Sequence, residues 1–262
     1  MTDIDNKINT FRYVMIDNFN DLDLSNFYSN LSTLKVIKST DEVYGKLNYY
    51  TNSYYDWEKN TIIIKKNKIN DNSFYHELFH MASNASEKKT VRNGFYLGQY
   101  NLNIGLGINE GYTEYLTRKY FGKLDNSYTY EFEVTIAKNI ENIIGNYKME
   151  SLYLRAQLKG LIDELSLYSD NEDIMSFIEN VDFVHYYIYQ DDMLEEILLK
   201  VRKINEFIIN LRIKKYGLSY LENNSLLKVN YENEKLEKFN DIQNDNFIKN
   251  VIDHYQEKNK LK

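Results

Sequence analysis

The spacing of apolar residues predicts a mixed first part of the chain and a helical second part. In residues 60–65 three consecutive isoleucines lie between polar residues, which is typical of a short strand. Between residues 18 and 34 apolar side chains recur near the helical period. The elements predicted for the first part are a helix over 18–34, a strand over Lys35–Lys38, a β-prone segment over 46–55, a strand over 60–65, a helix over 74–84, an extended or hairpin segment over 95–104 and a helix over 108–120.

From residue 128 onward the apolar pattern is helical. The predicted helices are Glu131–Ile144, 150–168, 171–189, 193–216 and 241–256. The polar, Asn-rich stretch 222–240 is expected to be weakly ordered or only partly helical. The predicted fold class is therefore α+β, with a small mixed sheet in an N-terminal lobe, residues 1–127, and a mostly helical C-terminal lobe, residues 128–262.

Composition excludes several kinds of chemistry. The 262 residues are 43% hydrophobic and 27% charged, as in ordinary globular proteins. The chain has no cysteine, so disulfides, thiolate metal ligands and a cysteine nucleophile are all excluded.

The charge distribution and the start of the chain indicate which partners and which compartment to expect. Residues 1–127 hold 15 basic and 15 acidic side chains, and residues 128–262 hold 17 and 24, which gives the net charge of −7. We expect no nucleic-acid partner, because neither part of the chain has an excess of basic side chains to bind phosphates. No apolar run approaches the roughly 18 residues of a membrane span, and no signal peptide is visible. The expected compartment is the cytoplasm. Export by a route that needs no signal peptide stays open.

The candidate chemistry lies in the motif HExxH. His76 and His80 are four residues apart on the predicted helix 74–84, so both imidazoles point from one face toward one ion. Two of the only four histidines of the chain fall in this window. Glu77 can lean over the open coordination position without binding the metal. The plainer alternative is a pair of partly exposed helix histidines that bind nothing.

The third metal ligand decides the class of enzyme. The metzincin pattern fails, because Ser83 and Ser86 stand where it needs glycine and histidine. Downstream, the segment Asn109-Glu110-Gly111-Tyr112-Thr113-Glu114 resembles the second helix of the thermolysin-like gluzincins, which carries the pattern Asn-Glu-x-x-x-Asp. The chain is also similar to uncharacterised bacterial zinc-peptidase-like proteins.

The resemblance, which covers about residues 60–121, implies a zincin-like fold with an active-site helix in the N-terminal lobe and a cleft closed by the C-terminal lobe. It implies that Zn²⁺ is held by His76, His80 and Glu110, and that Glu114 hydrogen-bonds a ligand histidine. Glu114 stands in place of the aspartate of the family, and the 30-residue gap from His80 to Glu110 is longer than in thermolysin. From the residues alone, Glu87 and Glu114 stay open as third ligands.

The predicted reaction is hydrolysis of a peptide bond. Zinc would lower the pKa of water, and Glu77 would accept the proton and pass it to the leaving amine. His185 is a candidate for stabilising the oxyanion, with Asp182, Asp191 and Asp192 as candidates for orienting it; packing among neighbouring tyrosines is the plainer interpretation. Tyr100 and Tyr112 are alternatives for the same role.

The strand 60–65 has a second predicted role. In zincins an edge strand beside the active-site helix pairs with an extended peptide, so Ile62, Ile63 and Ile64 are candidate substrate-binding residues. Consecutive isoleucines also fit a buried strand. The expected partner is a peptide or protein substrate.

Three classes of function remain open on the sequence. They are a general peptidase, a regulatory protease that cuts one protein, and a zincin-fold binding module without activity. The intact Glu77 argues against the last, because a purely structural zinc site needs no general base.

Overall fold

Two small sheets set among helices form an α+β fold in the computed structural model, which describes residues 2–39, 53–64, 70–122, 130–188 and 190–217. Within these ranges the helices are α1 (Asp3–Phe19), α2 (Ser25–Thr33), α3 (Asp71–Ser83), α4 (Leu106–Phe121), α5 (Glu131–Ile144), α6 (Asn146–Leu154), α7 (Leu158–Leu165), α8 (Asn171–Tyr187) and α9 (Leu194–Tyr216), with a 3₁₀ turn at Asp191–Met193. The strands are β1 (Lys35–Lys38), β2 (Ser53–Asp56), β3 (Thr61–Ile64), β4 (Thr90–Asn93), β5 (Tyr96–Gln99) and β6 (Leu102–Ile104).

The first sheet is mixed, as the sequence predicts, and its strand order is β1-β3-β2. β1 runs parallel to β3 with Lys35 opposite Thr61, and β2 runs antiparallel with Ser53 opposite Ile64. All four residues of β3 are buried, because the strand is covered on both faces. The consecutive isoleucines therefore mark the central strand of this sheet.

The second sheet is an antiparallel meander of β4, β5 and β6. The predicted extended segment 95–104 contains β5 and β6, whereas β4 was not expected. Gly94, with φ +52°, lies in the turn between β4 and β5. A side chain there would overlap Asn109 and Tyr153, so glycine lets this turn press against the helices.

The core extends through both parts of the chain and surrounds α3. Phe79 of α3 packs edge-on against Phe11 of α1, with ring centroids 4.9 Å apart, and Phe11 stacks on Phe121 at the end of α4. Every residue of α3 from Phe74 to Ser83 is buried. The polar residues of the motif therefore lie inside the protein, where they require partners. The predicted lobe boundary falls within residues 123–129, outside the described residues.

Several predicted helices have different bounds. Helix α1 was not predicted, although Thr2 and Asp5 form a capping box at its start. The helix predicted over 18–34 begins only at Ser25, whose N–H bonds the Asp23 carboxylate. The helix predicted over 150–168 is wrong: Ala156 adopts φ +53° and separates α6 from α7. The predicted segments 222–240 and 241–256 lie outside the described residues.

Candidate metal centre

Helix α3 carries both histidines of the motif on its inner face. The helix begins after β3 and a cap, where the Asn70 side chain accepts a hydrogen bond from the Ser73 N–H at 2.9 Å. His76 and His80 then follow one turn apart and are 6% and 8% exposed. The two Nε2 atoms lie 3.0 Å apart, so the rings converge on one point.

Helix α4 brings a carboxylate to the same point. Glu110 places Oε2 3.1 Å from His76 Nε2 and Oε1 3.4 Å from His80 Nε2. The three residues form a group that could hold a metal ion, with all ligand atoms within 4.8 Å of one another. Ligands bound about 2.0–2.1 Å from a tetrahedral ion are separated by about 3.3 Å. The nitrogen–nitrogen distance of 3.0 Å and the distances of 3.1 and 3.4 Å to the two different oxygens of Glu110 are close to this separation.

The outer nitrogen of each histidine has its own partner. His76 Nδ1 lies 3.2 Å from Glu114 Oε2, and His80 Nδ1 lies 2.8 Å from Asn93 Oδ1. The Asn93 amide is oriented by its own Nδ2, which donates to the His80 carbonyl oxygen at 2.6 Å. Because each Nδ1 can donate to an oxygen, either histidine in its neutral form can keep its proton on Nδ1 and turn the Nε2 lone pair toward the shared centre.

The Glu114 carboxylate reaches the outer nitrogen of His76. Its carboxylate is 2% exposed and accepts hydrogen bonds from Asn72 Nδ2, at 3.1 and 3.2 Å, and from Arg118 Nε at 2.7 Å. With these donors and His76, the buried charge is well satisfied. Glu114 therefore lies behind His76 rather than among the converging ligand atoms.

Electrostatics in this cluster favour charged side chains around the centre. Burial alone lowers the pKa of His76, and the hydrogen bonds to Glu110 and Glu114 outweigh it and raise the pKa to about 10. Burial opposes ionisation of Glu110, but the charge of His80 and the hydrogen bonds with both histidines hold the pKa of Glu110 well below its usual range. A cation at this position would meet an ionised carboxylate.

Glu77 lies beside the centre and outside the ligand group. Its Oε1 is 3.4 Å from Ser53 Oγ, and its carboxylate also accepts a hydrogen bond from the Tyr55 backbone N–H. Burial raises the pKa of Glu77 above its usual value, and the nearby charges of His76 and His80 oppose this rise only in part. A carboxylate with a raised pKa is suited to accepting and returning a proton.

Tyr130 and His185 extend the site in a stack of rings. The Tyr130 ring lies 5.6 Å from the His76 ring and 5.8 Å from the His185 ring, nearly parallel to both. The Tyr130 hydroxyl hydrogen-bonds Glu110, and the charge of Glu110, with burial, raises the pKa of Tyr130 well above its usual value. Tyr130 therefore stays protonated and is a hydrogen-bond donor that the sequence analysis missed.

His185 is oriented by a residue that the sequence analysis did not name. Its Nδ1 lies 3.0 Å from Oε1 of Glu133 in α5, whose side chain is 4% exposed. The expected orienter Asp182 has another role: its two oxygens accept hydrogen bonds from the backbone N–H groups of Gly105 and Gly107, at 2.7 and 2.8 Å. Asp182 thus caps α4 and fixes the helix that carries Glu110.

The remaining candidates for the third ligand and for stabilising the oxyanion are Glu87, Tyr112 and Tyr100, and they lie elsewhere. Glu87 has a side chain that is 75% exposed and pairs with Arg92. Tyr112 is fully buried, and its hydroxyl donates to Glu141. Tyr100 lies in the turn after β5 and is 79% exposed.

The expected pairing of a peptide with β3 does not fit the sheet. Ile62, Ile63 and Ile64 belong to the central strand, whose two sides are already bonded to β1 and β2. That prediction is wrong because β3 offers no edge. Among the described strands, β2 is the edge strand beside α3, and its Ser53 contacts Glu77.

No protein-family model, curated protein or solved structure matches this chain. Among the described helices, none is long and apolar enough to cross a membrane.

Proposed function

We propose that this chain is a zinc metallopeptidase with a gluzincin-type site on a zincin-like fold. The observation that carries the proposal is the convergence of His76, His80 and Glu110 at tetrahedral spacing, with Glu77 beside them. Two imidazoles and one carboxylate, within a site that leaves a fourth position for substrate, are the ligand set of catalytic zinc rather than structural zinc. The substrate would be a peptide or a protein chain.

When bound, zinc would supply Lewis acidity that acidifies water and polarises a carbonyl group. The chain's own residues would move the protons. Glu77 would accept a proton from the attacking water on its carboxylate and return it to the leaving amine. Burial prepares Glu77 for both steps, because it raises the pKa of the carboxyl group above that of an exposed glutamate.

Tyr130 and His185 are placed to stabilise the negative charge that develops on the carbonyl oxygen. The Tyr130 ring lies next to the His76 ring, the His185 ring lies on the other side of Tyr130, and both side chains hold a proton. Glu133 keeps His185 in one orientation through the 3.0 Å hydrogen bond to Nδ1. Donors that are held before the reaction begins stabilise the transition state without a reorganisation cost.

Among the described strands, β2 lies at an edge of the first sheet and is the best placed for binding an extended substrate. The strand lies beside α3, and both Ser53 and the Tyr55 backbone contact Glu77. A peptide that adds to this edge would therefore present its backbone next to the general base.

The experiment that tests the proposal compares wild-type protein with Glu77→Gln on a peptide library read by mass spectrometry. Glutamine is nearly isosteric with glutamate, so the fold and the zinc should be retained, but it cannot accept the proton. General acid–base catalysis contributes about 10²–10⁴-fold, and we expect a loss at or above the top of that range because one residue serves both steps.

Equal cleavage by the two proteins would show that Glu77 is not the base. If neither protein cleaves any peptide, a binding module or a protease that cuts one protein becomes the better explanation. Zinc content measured on the same samples confirms that the variant retains its metal.

A further inference from the structure

Arg118 lies between two carboxylates that belong to different helices. Its Nε donates to Glu114 Oε1 at 2.7 Å, one turn earlier on α4, and its Nη1 donates to Glu131 Oε1 at 2.6 Å, at the start of α5. The Arg118 side chain is only 15% exposed. A planar guanidinium held from two sides has one orientation, which a flexible ammonium group would lack.

Each of the two carboxylates connects Arg118 with the metal centre. Glu114 contacts His76 Nδ1 through its other oxygen, at 3.2 Å. Glu131 directly follows Tyr130, which adopts the strained φ of +62° and stacks on His76. Arg118 is thus connected to His76 through one residue, Glu114, on the first path and through two residues, Glu131 and Tyr130, on the second.

We infer that Arg118 is a positioning residue that sets the metal affinity of the site through Glu114. The inference rests on the proposed zinc site. Glu114 is 2% exposed, and its four contacts come from Asn72, Arg118 and His76. Arg118 supplies the only full positive charge of the three that does not depend on protonation. Without it, the buried carboxylate loses its strongest donor and no longer holds His76 in one orientation.

The role differs from that of an ordinary surface ion pair. A solvent-exposed pair one helical turn apart contributes little and tolerates replacement. Here Glu114 is buried, and the guanidinium is fixed on its other side by Glu131. The geometry therefore predicts that replacing Arg118 weakens metal binding by more than a loss of folding stability alone would explain.

The test measures zinc affinity by competition with a chromophoric chelator in wild type, Arg118→Met, Arg118→Lys and the control Arg155→Met. Arg155 Nε donates to the carbonyl of Ser151 on its own helix, away from the centre. Residues that orient metal ligands typically contribute 10–100-fold, and Arg118 acts one step further out, so we expect Arg118→Met to weaken zinc binding about tenfold. Arg118→Lys keeps the positive charge but lacks the planar pair of guanidinium donors, so its zinc affinity should fall about threefold. Arg155→Met should bind zinc as wild type does.

A double-variant cycle separates positioning from general destabilisation. Because Arg118 acts through Glu114, adding Arg118→Met to Glu114→Gln should cause no further loss of zinc affinity. The cobalt-substituted Arg118→Met protein should also show a changed visible absorption spectrum, which a purely structural role would leave unaltered.

Wild-type zinc affinity in Arg118→Met, or losses that add in the double variant, would overturn the inference. If Arg118→Met does not fold, Arg118→Lys decides in its place, and unchanged affinity there has the same meaning. A wild-type protein that binds no zinc at all would overturn the proposed function, and this inference with it. Zinc binding by wild type with no change in the variants would overturn this inference alone.

Discussion

His76 Nδ1 lies 3.2 Å from Oε2 of Glu114, so Glu114 contacts the nitrogen of the ring that faces away from the converging ligand atoms. Glu114 lies one helical turn after Glu110, and this spacing places one carboxylate in front of His76 and the other behind it. The two glutamates therefore have different relations to the same ring, although the sequence alone leaves either of them open as the ligand.

This difference predicts unequal losses of metal in two alanine variants. Glu110→Ala removes a converging ligand atom and should abolish tight zinc binding. Glu114→Ala leaves all three ligands in place and should weaken binding about 10–100-fold. Isothermal titration of the metal-free proteins with zinc measures both. Retention of zinc in Glu110→Ala together with its loss in Glu114→Ala would reverse the two roles.

Tyr130 is predicted to affect turnover of the zinc-loaded protein. Tyr130→Phe keeps the ring between His76 and His185 and removes only the hydroxyl. Loss of one oxyanion donor typically lowers kcat by about 10²–10³-fold. Steady-state kinetics on a substrate from the peptide library, with zinc content measured in parallel, provides the comparison. Unchanged kcat in the zinc-loaded variant would remove Tyr130 from the reaction.

The His185–Glu133 pair predicts a measurable pKa. Burial lowers the pKa of His185, but the hydrogen bond and charge of Glu133, with smaller effects of Glu110 and Asp182, raise it above the ordinary value. His185 should therefore hold its proton to higher pH than an exposed histidine, and Glu133→Gln should lower the titration midpoint. Nuclear magnetic resonance of the imidazole signals across a pH series measures this. With only four histidines in the chain, His185→Gln identifies the signal. A wild-type midpoint below the ordinary histidine value would contradict the assignment.

Gly111 permits the close contact of α4 with α5. A Cβ at Gly111 would overlap the backbone carbonyl of Glu133, which cannot move independently of its helix. Gly111→Ala should therefore destabilise the fold by about 1–3 kcal/mol, the usual cost of overpacking. Gly160→Ala is the matched control, because there the added group meets the end of the flexible Leu152 side chain. Urea unfolding of both variants measures the difference. Equal stability of Gly111→Ala and wild type would mean that the two helices separate without cost.

The sequence predicted those features that depend on local spacing. The pair His76 and His80, the helix around them and the strand before them follow from periodicity and a polar cap. The mixed first sheet was also expected, but the central position of β3 depends on β1, whose residues pair with partners 26 positions further along the chain. A run of isoleucines indicates burial and does not say which neighbours cover it.

Apart from Glu114, which the resemblance named, the partners of the histidines could not be read from the sequence. Asn93, which contacts His80, is the last residue of β4, a strand that was not predicted. Glu133, which contacts His185, lies on α5, whereas His185 lies on α8. Tyr130 is one of 25 tyrosines, and nothing in its local sequence separates it from the others. These contacts arise from tertiary packing, in which residues far apart in the chain meet.

Metal content tests the central claim most directly. Elemental analysis of wild-type protein, purified without added metal, should find one zinc per chain, because the Nε2 atoms of His76 and His80 and the Glu110 carboxylate converge on one position. The variant His76→Ala/His80→Ala, which lacks two of the three ligands, should contain none. Wild-type protein without zinc, or a double variant that keeps a full equivalent, would contradict the assignment of the site.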